Sequence, residues 1–182
     1  VSDIINILDI PEKKMDLYTY PSDKEIKDNK TTGLFLGQFY PWDGVHNFEI
    51  AKKNGFKEFY KEVEGSIVSY ENLDNLQMRI HDYFKYLKYG YDRVTDWCCW
   101  HIRRGRLNRD EAEKINLEKS GKFPDKYLDV NLEKILETID CSKEEFVNIC
   151  DKFTNKKIFK CDNNNKIIKK EDGSLLLNIY NN

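Results

Sequence analysis

Apolar residues recur at helical spacing through most of the chain after its first seventy residues. Between about Leu73 and Tyr89, the residues Leu76, Ile80, Tyr83, Phe84 and Leu87 fall at i, i+4, i+7, i+8 and i+11. That spacing places them on one helix face, and Gly90 supplies a stop. Arg93–Arg104 reads as a second helix. Asn108, with Glu111 three positions on, has the spacing of a capping box and predicts a helix from Arg109 to about Lys119. Gly121 and Pro124 mark the next break. Leu128, Leu132, Ile135, Leu136 and Ile139 then predict an amphipathic helix. A second capping-box pair, Ser142 and Glu145, precedes Phe146, Val147, Cys150 and Phe153 at helical spacing.

The pattern is different at both ends. Residues 1–32 are polar and mixed, punctuated by Pro11 and Pro21, and read as surface helix or loop. "GLFLGQFY", Gly33–Tyr40, is short, apolar and flanked by turn residues, which predicts a buried strand ended by Pro41. A short helix follows, with Gly55 as its stop. After residue 154 the chain is rich in Asn and Lys, and "KIFKCD", "KIIKK" and "SLLLNIY" read as small strands joined by "DNNN" and "EDGS" turns. The organisation expected is a polar segment over 1–32 that continues from an upstream domain, a helical domain over 33–154, and a tail or small β hairpin over 155–182. The fold class is α-rich α/β, mostly helices with one or few strands. The strand at Gly33–Tyr40 would belong to a sheet completed elsewhere.

Charge narrows the function classes. Lys and Arg total 30 and Asp and Glu total 32, so the net charge of −2 gives no global attraction to nucleic acid or to an anionic membrane. No apolar run approaches the roughly 20 residues of a membrane span, so no membrane insertion is expected. Five cysteines without framework spacing point to free thiols and a cytoplasmic location. The three histidines show no metal-ligand spacing, and no metal site is expected.

Local clustering is another matter. Tyr89–Ala112 holds five arginines, two tryptophans and two adjacent cysteines. On a helical wheel Arg93, Asp96, Trp97, Trp100 and Arg104 fall on one side, and Val94, Thr95, Cys98, Cys99 and Ile102 on the other. The first face suits stacking and anion binding, since guanidinium groups grip phosphate or carboxylate with paired hydrogen bonds. Arg103, Arg104, Arg106 and Arg109 crowd the turn around Gly105, and Arg109 lies at a helix N-terminus, where an anion is favoured. The plainer alternative is that these arginines pair with carboxylates of neighbouring helices and the tryptophans fill space. Trp42 and Asp43, after the predicted strand, are a second candidate, because residues there often line a ligand crevice; an ordinary turn has the same composition. No self-sufficient catalytic motif is present.

The order of "GLFLGQFYPWD", "AKKNGFK", "YENLDNLQMRIHDYFKYLKYGYDRVTD", "IRRGRLNRDEA" and "GKFPDKYLD" resembles the C-terminal half of bacterial N-acetyl sugar amidotransferases, from about Gly33 to Phe153. These are PP-loop ATP pyrophosphatases that make acetamidino sugars for lipopolysaccharide O-antigen and flagellin glycans. The resemblance implies that ATP, with Mg2+, activates the acetamido oxygen as an adenylate. Ammonia from a partner glutaminase then displaces AMP. The substrate implied is a nucleotide-linked or acidic N-acetyl sugar. The family's S-G-G-x-D-S nucleotide loop is absent here, so a C-terminal fragment, inactive and without cofactor on its own, is the reading.

The matching positions are Trp42, Asp43, Tyr86 to Gly90, Arg93, Thr95, Asp96, Ile102, Arg103, Gly105, Arg106, Arg109 and Glu111. Of these, Trp42, Asp43, Lys88, Arg93, Asp96, Arg103, Arg106 and Arg109 are the candidates for substrate or phosphate binding. Relatives tend to carry His-Ala-Ser after the position of Asp96 and an acid before the Ile-Arg pair. This chain has Trp97, Cys98, Cys99, Trp100 and His101 instead. The competing functional reading is a non-catalytic helical module that docks a glutaminase or a second copy of itself. Nucleic-acid binding through the arginines is the least supported, because the cluster is compact and the chain near neutral.

Overall fold

The structure, a computed structural model, describes residues 5, 7, 11–30, 32–170 and 173–178. The chain divides into two units, Val1–Gly44 and Val45–Asn182.

In the first unit, Glu12–Tyr18 forms a 3-10 turn and Asp23–Asp28 a short helix, α1. Ser22 and Glu25 cap α1 reciprocally: the Ser22 side chain accepts from the Glu25 N–H and the Glu25 carboxylate accepts from the Ser22 N–H. The buried strand expected at Gly33–Tyr40 is not formed. Leu36–Gln38 is a 3-10 turn, and Leu34 and Phe35 are 71% and 81% exposed. A strand needs a neighbour for its backbone groups. Here the Gln38 and Phe39 N–H groups bond locally to the Phe35 and Leu36 carbonyls, both at 3.0 Å, and Gly33 and Gly37 weaken any extended preference.

The second unit is mostly helical. Gly44–Lys53 is α2, Met78–Tyr89 α3, Arg93–Arg103 α4 and Arg109–Lys119 α5. Lys126–Tyr127 and Val130–Asn131 form a two-stranded antiparallel sheet, β1–β2, with Tyr127 opposite Val130. Leu132–Glu137 is α6 and Lys143–Phe153 α7. Among the described residues no helix is long and apolar enough to cross a membrane.

Two boundaries differ from the sequence pattern for local reasons. α3 starts at Met78 rather than near Leu73, because Asn72 has φ 53° and the Asn75 side chain accepts the Gln77 N–H, which holds a turn there. The helix expected from Leu128 starts at Leu132, because Leu128 and Asp129 both take positive φ and form the two-residue turn of the β1–β2 hairpin. Leu128 is held in that unusual conformation by its N–H, which donates to Glu64 at 2.9 Å.

The main core joins the apolar face of α3 (Tyr83, Tyr86, Leu87) to α6 (Leu132, Leu136) and α7 (Phe146, Cys150). Residues after 154 complete it. Three antiparallel contacts, Phe159 with Leu177, Cys161 with Ile167 and Lys169 with Leu175, make a small ladder whose Phe159, Ile167 and Leu175 point into that core. Burying each such side chain contributes about 1.5–3 kcal/mol, so the ladder stabilises α3 directly. A smaller cluster of Val94, Cys98 and Ala112 locks α4 against α5.

Candidate functional site

α4 is the element that positions most of the candidate residues. Its N-cap is Asp92, which is fully buried and accepts the Val94 N–H at 3.1 Å and the Gly121 N–H at 2.9 Å. One carboxylate thus ties the start of α4 to the segment beyond α5. Burial pushes the Asp92 carboxyl above its ordinary value, against the pull of the Gly121 hydrogen bond.

One turn of helix carries Arg93 and Trp97 into a second network. The Arg93 guanidinium donates from Nε to Asp82 Oδ2 at 2.7 Å and from Nη2 to Asp82 Oδ1 at 3.1 Å, and from Nη1 to Glu71 Oε1 at 2.6 Å. Trp97 donates its Nε1–H to the other Glu71 oxygen. Burial alone would lower the Arg93 value, but Asp82 and Glu71 hold it above the ordinary one. Trp97 is only 7% exposed. The exposed stacking face expected of Arg93, Asp96, Trp97, Trp100 and Arg104 is therefore divided. Arg93 and Trp97 turn into carboxylates of α3 and of the loop before it, as in the plainer alternative for these residues. Asp96 pairs with Lys85 of α3, and Trp100 and Arg104 remain exposed. On the opposite face Val94 and Cys98 are buried as expected, whereas Cys99 and Ile102 are exposed.

The other arginines lie at the far end of α4, about 15 Å from Arg93 along the axis at 1.5 Å per residue. Gly105, with φ 67°, ends the helix. Its N–H donates to Ile102 and the Arg106 N–H to His101, so those two carbonyls of the last turn are satisfied and the chain reverses directly into α5. Arg103, Arg104, Arg106 and Arg109 are all exposed on this turn. The Arg103 Nε donates to the Cys99 carbonyl at 3.2 Å, within its own helix. At the start of α5 the predicted capping box is present: Asn108 accepts the Glu111 N–H at 2.9 Å and Glu111 accepts the Asn108 N–H at 2.8 Å. Two donors of that helix end are thereby occupied, and Asp110 and Glu111 already place negative charge beside Arg109.

Lys88 is exposed in the last turn of α3, with its Nζ 5.2 Å from the centre of the Phe153 ring. Trp42 and Asp43 belong to the first unit, in the irregular segment before α2, with Trp42 54% exposed. The structure therefore brings together Arg103, Arg106 and Arg109 on one turn, and Arg93 with the carboxylates of Glu71 and Asp82. Asp82, Glu71, Arg79 and Asp92 were not singled out from the sequence. The signal was present for two of them, since Arg79 and Asp82 sit three apart on the same α3 face as Tyr83 and Tyr86, where an apolar residue is the usual choice. Among the described residues no group of His, Cys, Asp or Glu is arranged to hold a metal ion.

The family described as LPS biosynthesis protein WbpG-like, C-terminal domain, matches residues 51–171, about two thirds of the chain. The chain belongs to this family. The WbpG-like match runs from the end of α2 through α7 and into the ladder. It therefore starts later than the resemblance over Gly33–Phe153 and continues beyond it, taking in Phe159 and Ile167, which complete the core. Lys88, Arg93, Asp96, Arg103, Arg106 and Arg109 lie within the WbpG-like region, and Trp42 and Asp43 lie before it. No curated protein matches the chain.

Proposed function

We infer that this WbpG-like chain is the C-terminal part of an ATP-dependent N-acetyl sugar amidotransferase of lipopolysaccharide biosynthesis. The enzyme would convert an acetamido sugar to an acetamidino sugar with ammonia from a partner glutaminase. The observation that carries the reading is the coincidence of the WbpG-like match with the exposed arginine turn between α4 and α5. A nucleotide-linked or acidic sugar presents phosphate or carboxylate oxygens, and Arg103, Arg106 and Arg109 offer paired N–H donors on a turn fixed at both sides by helix caps.

ATP with Mg2+ would supply the activation of the acetamido oxygen when bound. The S-G-G-x-D-S loop is not among these residues, so in this reading those groups are held by other segments and these residues bind and orient the sugar. Arg93 acts here as a positioning residue. Its bonds to Asp82 and Glu71 fix the pitch of α4 on α3, and so the direction in which the arginine turn faces. The test is replacement of Arg103 or Arg109 by Ala in the intact enzyme. A fall in kcat/KM of roughly tenfold or more, equal to about 1.4 kcal/mol, is expected from lost charge-assisted bonding; unchanged kinetics at normal stability would contradict the assignment.

The second reading, a helical module that docks a glutaminase or a second copy, is favoured by a different observation. Trp100 and Ile102 remain exposed on α4 beside arginines, the residue combination found at interface hot spots. Loss of glutaminase or self-association in Trp100→Ala, with kinetics on free ammonia unchanged, would establish it.

A further inference from the structure

We draw no further inference here: the strongest candidate, the exposed apolar surface patch of Leu34, Phe35, Leu36 and Phe39 around the 3-10 turn of the first unit, carries nothing because nothing in the structure shows what covers it.

Discussion

Arg93 grips Asp82 edge-on, with Nε 2.7 Å from one carboxylate oxygen and Nη2 3.1 Å from the other. This pair joins α4 to α3 where both side chains are largely out of solvent, 21% and 6% exposed. The third donor goes to Glu71, which also receives the Trp97 indole. A guanidinium is the group that can serve both carboxylates at once, since its fork fits two partners in one plane.

Removing one member of such a pair leaves a buried charge uncompensated. Asp82→Asn and Arg93→Met are each expected to lower the unfolding free energy by about 3 kcal/mol, measured by urea denaturation. The double variant should cost less than the sum of the two. Full additivity would show that the two side chains do not interact in solution.

Two glycines with similar backbone angles should behave differently. Gly105 has φ 67° and nothing within 4 Å of where a Cβ would be, whereas Gly121, at φ 70°, has the Tyr86 ring there. Gly105→Ala is expected to cost about 1–2 kcal/mol, the left-handed backbone penalty. Gly121→Ala adds roughly 1–3 kcal/mol of overpacking. Equal thermal shifts for the two variants would contradict the close approach of Gly121 to Tyr86.

The adjacent cysteines offer a check on the orientation of α4. Cys98 is buried against Ala112 and Cys99 is exposed. Iodoacetamide should therefore modify Cys99 in the folded chain and leave Cys98 and Cys150 intact until unfolding, as read by peptide mass mapping. Preferential labelling of Cys98 would mean that α4 is rotated from its place here.

Much of this arrangement was legible from residue spacing. Helices α3, α4, α5 and α7 and their caps at Asn108 and Ser142 follow from local chemistry that the sequence carries in full. The inward face of α4 was legible in Val94 and Cys98, but the fate of Arg93 and Trp97 was not. Their partners, Glu71 and Asp82, lie 22 and 11 residues away from Arg93, and a wheel of one helix holds no information about a neighbour's carboxylates. Gly33–Tyr40 failed as a strand for a related reason: an apolar run specifies burial only where a partner surface exists. The hairpin turn at Leu128 and Asp129 was hidden because a leucine at positive φ is held there by a distant Glu64.

Alkaline conditions should destabilise the chain. Burial pushes the Cys150 thiol up from 9.0 to about 12 and the Tyr127 phenol from 10.0 to about 12, and raises Cys98 and Tyr83 as well. Each group ionises more readily in the unfolded chain. The stability they contribute is complete below the unfolded values and is lost as pH rises toward the folded ones. The urea midpoint should therefore fall between about pH 9 and about pH 12, and fall less steeply in Cys150→Ala. A flat profile would contradict the burial of these groups.

An amidotransferase acting on an N-acetyl sugar is the activity proposed for the intact protein. Its most direct test supplies the intact protein with ATP, Mg2+, free ammonia and nucleotide-linked N-acetyl sugars, and follows the products by mass spectrometry. Replacement of the acetamido oxygen by nitrogen in one of the sugars is expected, with AMP and pyrophosphate released, and a marked loss of product in Arg103→Ala. Folded protein that leaves every sugar unchanged while ammonia and ATP are in excess would contradict it.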